Sequence, residues 1–448
     1  MMYRFILIFF ALLIFILSVD GTIALRYLLI VSLIVGLLIN IIKNRENREN
    51  LKIITKSKEI RLILISLLTF AFFVLFHTIF FSYEPLWSLS EFKSHIIYPC
   101  IYLFVGMLLA NYAKQSKQMS KELIITVIFF SMFIHILYID LVAIDNLFRK
   151  GVMLRRYGGL MDSPVLPNYL TNILLAMIIA EILYRLRVNQ KVLMVSNGIL
   201  YLLLLACIFS TFVESLRLGD ISLVLLGIGS ATVFLYNNKQ YSNNIKWLIS
   251  AVLIFILSVP LIYNINSDSR WSRLPEAIPV AIYSADEKVW IDPKATRVVT
   301  KSGREISQSS NYQRIALAVR SLAYIVDEPM GVGYGRNAFG HALELRYPEA
   351  WEKRGAHAHS AILDLTIGAG IIGTFLWLFC VFVIIRSAVK ELQSSYNYFA
   401  IIVLFLTMGF ISRGLVDANM RDHVFLQFML ILGISIFFMI GDKNKAIE

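Results

Sequence analysis

Residues 62–82 read LILISLLTFAFFVLFHTIFFS, 21 positions in a row without Asp, Glu, Lys or Arg, entered from Arg61. As an α-helix rising about 1.5 Å per residue, such a run is about 30 Å long, the hydrocarbon thickness of a bilayer. A helix also satisfies its own backbone polar groups, which lipid cannot do for it. Working outward, runs of spanning length recur near 3–19 and 22–42 on one side. On the other they lie near 95–112, 123–143, 168–184, 192–212, 218–236, 246–265, 361–385, 397–412 and 424–441. The expectation is an all-α polytopic membrane protein with about twelve transmembrane helices. The run 3–19 follows Met-Met-Tyr-Arg as a signal peptide would, but no small-residue cleavage site precedes Asp20 and a second run follows at once, so it is read as a span.

Composition agrees. Of 448 residues 58% are hydrophobic and only 16% charged, against about a quarter charged in a soluble globule. A Leu- and Ile-rich background with 31 Phe and 21 Tyr excludes disorder and collagen-like repeats. Cys100, Cys207 and Cys380 all fall in apolar runs, which leaves neither a disulfide framework nor a zinc spacing.

The net charge of +12 is not explained by a membrane alone. With the N-terminus in the cytoplasm, alternate loops carry the basic excess that the orientation rule requires. These hold Arg4, seven bases from Lys43 to Arg61, and the groups near Lys114, Arg185, Lys239, Arg386 and Lys443, together 20 of the 42 bases. An even number of spans returns the C-terminus to the same side. The other 22 bases fall on the outer side, 13 of them within 266–360, a loop long enough to escape the rule. Lys supplies 13 of the inner 20, whereas Arg supplies 16 of the outer 22. The planar guanidinium grips phosphate oxygens in pairs, which a lysine point charge does not, so the outer face is read as built for an anion. The plainer reading pairs these arginines with outer carboxylates such as Asp268, Glu276 and Asp286, contacts of small value at a surface.

The expected division is nine spans with short loops over 1–265, a large outer loop over 266–360, and three spans over 361–448. A second outer segment, 145–168, carries Arg149, Lys150, Arg155 and Arg156 and then Gly158, Gly159, Pro164 and Pro167, a density that breaks helices. It reads as a substrate-contacting element or as a surface connection whose bases meet lipid headgroups. In the large loop, Tyr283 to Ile306 alternates around Asp292-Pro293 and Ser302-Gly303, which predicts a small hairpin. Tyr312 to Val326 predicts a helix whose buried face is Ile315, Ala318, Val319, Leu322, Ile325 and Val326, stopped by Asp327-Glu328-Pro329. GVGYGRNAFG at 331–340 is glycine-rich, but no strand precedes it and a nucleotide fingerprint does not fit.

His77 and His135 lie in spans and His95 near a span start, where packed or hydrogen-bonded core residues are the rule. His357 and His359 stand where the basic loop re-enters the membrane, in GAHAHSAILDLTIGAGIIGTFLWL at 355–378. Their spacing offers two metal ligands, yet no Cys, Asp or Glu stands at a spacing that closes a site. A histidine on an anion-lined surface instead fits general-base work, its ordinary pKa lying near operating pH.

At these residues the chain resembles the O-antigen ligases and their relatives. The resemblance rests on His359-Ser360, nine residues, then Gly370-Ile371-Ile372-Gly373 and Thr374-Phe375. The twelve-span layout, the one large outer loop, Arg314 in the loop helix and Pro329 to Gly335 as a P-x-G-x-G segment extend it. It implies a GT-C type glycosyltransferase of the bacterial inner membrane, both termini cytoplasmic. The enzyme would take O-antigen glycan from undecaprenyl diphosphate and join it to lipid A-core oligosaccharide on the periplasmic face. Its partners would be that donor, that acceptor and membrane lipids, with no nucleic acid. His359 would be catalytic. Arg217, Arg314 and either Arg155 or Arg156 of RRYGG would bind the diphosphate, with Arg320 and His357 as secondary candidates. Around Arg217 the local sequence is Glu214-Ser215-Leu216-Arg217, one residue away from the family's Ser-Arg context.

The chemistry agrees with that assignment from its own side. Displacing a lipid diphosphate puts negative charge on the leaving group, and preorganised arginines stabilise it without a metal. No Asp-x-Asp occurs in an outer loop, no metal or cofactor is expected, and transfer should persist in EDTA. The plain readings are a snorkelling Arg217 paired with Glu214 or Asp220, an Arg314 on a solvated helix face, and a GxxG that serves only helix packing. Rival functions are O-antigen polymerase, protein O-oligosaccharyltransferase and a transporter of an anionic lipid or solute. The transporter would need charges and broken helices at mid-membrane, where only Asp364 and few others are expected.

Overall fold

The computed structural model describes residues 2–43, 57–116, 118–161, 163–238, 240–283, 298–300, 302–306, 309–348, 356–420 and 422–441. Every expected span is helical. In chain order they are α1 (Met2–Ile16), α2 (Ile23–Lys43), α3 (Lys58–Phe80), α4 (Pro85–Gln115), α5 (Lys121–Lys150) and α6 (Val165–Val188). Then come α7 (Asn197–Glu214), α8 (Arg217–Asn237) and α9 (Asn243–Ser267). Four shorter helices follow, α10 (Ser269–Ser272), α11 (Leu274–Tyr283), α12 (Ser310–Asp327) and α13 (Ala338–Arg346). The chain ends with α14 (Ala361–Ser395), α15 (Tyr398–Gly414) and α16 (Asp422–Gly441). Among the described residues ten helices are long and apolar enough to cross a membrane, while α1 and α15 are apolar but shorter. The protein is an all-helical, multi-pass membrane protein.

Helix starts follow the side chains that can accept from free N–H groups. Ser120, Ser196, Ser309 and Ser360 cap α5, α7, α12 and α14 through Leu123, Ile199, Tyr312 and Leu363, each cap worth about 1 kcal/mol. Several boundaries differ from expectation, and α14 for one runs to Ser395 rather than ending near 385. Helix α4 begins at Pro85, not near 95, with a π-turn over Lys93–Ile97 ahead of Pro99. Proline supplies no N–H to the turn before it, and the wider turn accommodates that loss. Helix α5 runs to Lys150 and stops at Gly151 in the left-handed region, so among the described residues the irregular part of the 145–168 segment is only 151–161 and 163–164.

Lipid tails are as apolar as leucine, so spans associate by close packing. Gly106 of α4 and Gly433 of α16 show this reciprocally. A Cβ on Gly106 would press on the Leu430 carbonyl and one on Gly433 on the Leu103 carbonyl, so the two backbones touch where no side chain intervenes. Ile65, Leu68, Phe72 and Phe76 of α3 remain exposed, the side a bilayer would cover.

Helix α12 lies where expected but shows a different face. Leu322 is 56% and Val326 79% exposed, while Tyr312, Ala316 and Tyr324 are buried. The helix docks on two small cores at once. Tyr312 and Ala316 pack with Ala277, Ala281, Val298 and Ile306, whereas Tyr324 packs with Val332, Phe339 and Ile367. An apolar stripe marks hydrophobicity, and here tyrosines and alanines fit the two cores better. Of the predicted hairpin, 284–297 and 301 lie outside the described residues. Its end is present as a Val299–Glu305 bridge closed over Gly303, which takes φ +79°.

The spans also bury more acids than expected: Asp140, Glu181, Glu214, Asp220 and Glu391. Each has a hydrogen-bond partner, as membrane burial requires. Ser210 donates to Asp140 (2.7 Å), Arg185 pairs with Glu181 (2.7 Å), Thr171 donates to Glu214 (2.5 Å), Asn264 to Asp220 (2.8 Å) and Ser395 to Glu391 (2.6 Å).

Candidate functional site

The two glycine motifs form one unit. Helix α14 breaks at Gly370, whose φ of +70° is non-helical, and the break frees backbone groups that Pro329 to Gly333 then satisfy. Val332 N–H donates to the Ile367 carbonyl (2.9 Å), Gly333 N–H to that of Gly368 (3.0 Å), and Ile371 N–H to that of Pro329 (3.0 Å). Irregular backbone at this depth is tolerated because protein partners replace water. A Cβ at Gly370 would strike the Met330 carbonyl, so this glycine serves a strand-like insertion more than helix packing. Gly370→Ala is expected to destabilise by about 1–3 kcal/mol, read as a lower thermal midpoint of the purified protein. An unchanged midpoint would show that the loop does not lock the kink.

The turn ahead of α14 presents His359 with φ +55°, uncommon for a residue with a Cβ and a mark of constraint by its surroundings. Several bonds impose it. Ala358 N–H donates to Asp364 Oδ1 (2.9 Å) and Ser360 Oγ–H to the Gly414 carbonyl (3.2 Å). Ala361 N–H donates to the Asp417 carbonyl (3.0 Å). The His357 and His359 rings meet edge to face at 4.3 Å, and His359 N–H donates to His357 Nδ1 (3.2 Å). His357 thus backs the turn that holds His359.

Arg314 reaches the same connection from α12. Its Nη1 donates to the Val416 carbonyl (3.4 Å), one peptide away from the Asp417 carbonyl that anchors the His359 turn. Burial pulls the Arg314 guanidinium's pKa down, Asp417 opposes this, and the charges of Arg270 and Arg156 add to the lowering. Arg217 opens α8, a helix whose N-cap residue makes no side-chain cap bond. Its Nη1 donates to Asn311 Oδ1 (2.7 Å), its guanidinium lies 5.7 Å from the Trp271 ring, and Arg270, Arg314 and Arg156 act on it electrostatically. The hydrogen bond goes to Asn311 rather than to Glu214 or Asp220, the partners of the snorkelling reading. Arg156 is held by its N–H to the Val213 carbonyl (2.7 Å), also at positive φ.

The charges of Arg156, Arg270 and Arg314 therefore act on Arg217, and those of Arg156 and Arg270 on Arg314, beside the carboxylates of Asp268 and Asp417. The excess is positive. Four like charges gathered at one place raise each other's energy, and an anion relieves it.

The adjacent arginines separate here. Arg156 belongs to the group, whereas Arg155 donates to the Tyr263 hydroxyl (2.6 Å) and lies over its ring. Arg320, six residues after Arg314, stands about 120° from it round the helix axis and is not among the charges that weigh most on Arg217 or Arg314. The plain pairing reading holds for some outer arginines: Arg149 with Asp145, Arg304 with Glu276 and Arg346 with Asp327.

Arg270, Asn311, Arg413 and Asp417 carry no motif that singles them out in the sequence. Arg270 is fastened by Asp268 (2.5 Å). Burial pushes the Asp268 carboxyl up, but hydrogen bonds and charge from Arg270 outweigh it and hold the group below its ordinary value. The buried Arg413 lies 3.5 Å from the Tyr169 ring centroid, donates to Asn168 Oδ1 (2.7 Å) and pairs with Asp417 (3.6 Å). Asn168 passes the network to Glu214 (2.6 Å). Among the described residues, the His and acid group with metal-ligand proximity is a different one from His357 and His359: Glu84, His341 and Glu344 offer atoms within 4.8 Å of one another.

Against known proteins, residues 199–378 match the family described as "O-Antigen ligase". No curated protein matches the chain. The matched stretch contains Arg217, Arg270, Arg314, the Pro329 to Gly333 insertion and His359, and over these residues the chain is similar to the O-antigen ligase family.

Proposed function

We propose that the protein transfers O-antigen glycan from undecaprenyl diphosphate to lipid A-core oligosaccharide, at the periplasmic face of the bacterial inner membrane. The observation that carries this reading is the docking of Arg314 and the His359 turn on the successive carbonyls of Val416 and Asp417, beside a cluster of arginines. In the reaction His359 accepts the proton of the acceptor hydroxyl as its oxygen bonds to the anomeric carbon. The bond from that carbon to the diphosphate breaks, and its electron pair leaves with the diphosphate. Arg156, Arg217 and Arg314 stabilise the charge that develops there. One displacement inverts the anomeric centre, and the residues invoked require no metal.

A polymerase would use the same donor but a lipid-linked acceptor, and a protein oligosaccharyltransferase would use a protein. The His-Ser, nine residues, GxxG pattern favours the ligase. A deletion strain decides among them through its lipopolysaccharide gel profile with the lipid-linked glycan pool measured in parallel. Loss of all capped lipopolysaccharide with polymeric lipid-linked glycan accumulating is the expected result. Core carrying a single unit would mean a polymerase, and unchanged lipopolysaccharide with an unglycosylated secreted protein would mean a protein ligase.

A further inference from the structure

The turn between α3 and α4 meets helix α13 of the large loop through two acids and a histidine that the transfer proposed above does not use. His341 and Glu344 stand three residues apart on α13, so their side chains rise from one face of that helix. Glu84 is the residue before Pro85, at the start of α4. A carboxylate there is ordinarily drawn to the free N–H groups of its own helix. Glu84 makes no such cap, and its Oε1 lies instead 2.8 Å from His341 Nδ1. The imidazole is 6% exposed and stacks on Trp87, with ring centroids 3.6 Å apart and planes 20° from parallel. A ring fixed in this way aims its nitrogen in one direction, and one ligand atom from each of Glu84, His341 and Glu344 falls within 4.8 Å of the others.

We infer that these three side chains bind one divalent transition ion, of which Zn²⁺ is the type, and that the ion clasps the large loop to the start of α4. Two carboxylates brought this close repel each other. A protonated imidazole cancels one of their charges, whereas a divalent ion cancels both. Ligand atoms bonded to a tetrahedral ion at about 2.0–2.1 Å stand about 3.3 Å from one another. The contact between Glu84 and His341 therefore has to open by only about half an ångström as the ion displaces the proton they share. One imidazole beside two carboxylates selects against Mg²⁺ and Ca²⁺, which take all-oxygen sites, and the fourth position is left to water.

The position of the clasp gives it a consequence. Next to Glu84, Tyr83 N–H donates to the Val332 carbonyl (2.9 Å), and next to His341, Gly340 N–H donates to that of Ala356 (3.1 Å). The first acceptor belongs to the insertion that fills the break in α14, and the second to the segment that enters the His359 turn. An ion that holds Glu84 to α13 tightens both. It acts on the fold and not on the chemistry, since the transfer step invokes no metal, and the inference stands whether or not the glycan reading is right.

The test uses full-length protein in nanodiscs, stripped with a chelator and titrated with Zn²⁺, with Mg²⁺ as the comparison. One Zn²⁺ per chain should bind and raise the thermal midpoint by roughly 5 °C at about a hundredfold excess over Kd. Mg²⁺ should not raise it, and EDTA should reverse the rise. Glu344→Gln keeps the shape of the side chain and removes a charged ligand. That variant should melt like the stripped wild type and bind Zn²⁺ at least roughly 100-fold more weakly. X-ray absorption of the zinc-loaded wild type gives a reading that the folding of a variant cannot confuse, with one imidazole and otherwise oxygen neighbours expected. Three results would each overturn the assignment: wild-type affinity in Glu344→Gln, an equal rise with Mg²⁺, or a spectrum with two imidazoles, which would put the ion on His357 and His359.

Discussion

His359→Asn is expected to lower glycan transfer by roughly 10²- to 10⁴-fold while the protein inserts, purifies and melts as wild type. Asparagine is the informative replacement because residue 359 takes φ +55°. Asn tolerates the left-handed region, whereas Ala pays a steric cost there, so a defect in His359→Ala mixes chemistry with a distorted turn. The turn is anchored by Ala358, Ser360 and Ala361 through groups the substitution leaves in place. Transfer by purified enzyme, measured beside the thermal midpoint, separates the two effects. Full activity in the asparagine variant would remove the base from residue 359. His357 is the comparison: it touches the backbone of His359, and its loss should reduce activity by disordering the turn rather than by removing a proton acceptor.

Much of this fold is legible in the sequence because lipid imposes a harsh rule on it. A stretch such as 62–82 has no polar alternative to a helix, and α3 follows. Legibility fades where protein replaces lipid as the surrounding. Pro85 to Phe92 reads LWSLSEF after its proline, too polar for a span, so the true start of α4 is hidden. The buried face of α12 is set by two small cores built from α11, α13 and α14, which no local stripe reveals. The site divides in the same way. His359 and Arg314 stand in recognisable surroundings, but the link between them runs through backbone carbonyls of Val416 and Asp417, and a carbonyl has no sequence signature. Arg155 and Arg156 are equivalent as letters. They part only because Arg156 turns into the left-handed region against Val213, which sends its neighbour toward Tyr263. Gly370 reads as half of a helix-packing motif until Pro329 to Gly333 is seen filling the break it makes.

Arg314→Lys should damage transfer nearly as much as Arg314→Ala, each by roughly 10²- to 10³-fold, the effect of removing one preorganised donor from a developing anion. The guanidinium spans two phosphate oxygens at once, which an ammonium cannot reproduce. The site is also hostile to a weaker base, since burial and the charges of Arg270 and Arg156 all lower the pKa at this position and only Asp417 among the named charges raises it. An arginine starts high enough to stay charged, whereas a lysine starts about two units lower and has less margin. The sign follows. A group with a depressed pKa loses its positive charge as pH rises, so Arg314→Lys should lose its remaining activity further on the alkaline side, while the wild type should not. Arg320→Ala supplies the control for helix α12, since that residue stands about 120° round the helix from Arg314 and should leave transfer close to wild type. A lysine variant with wild-type kinetics at neutral and alkaline pH would return Arg314 to the solvated-face reading and leave Arg156, Arg217 and Arg270 to hold the diphosphate without it.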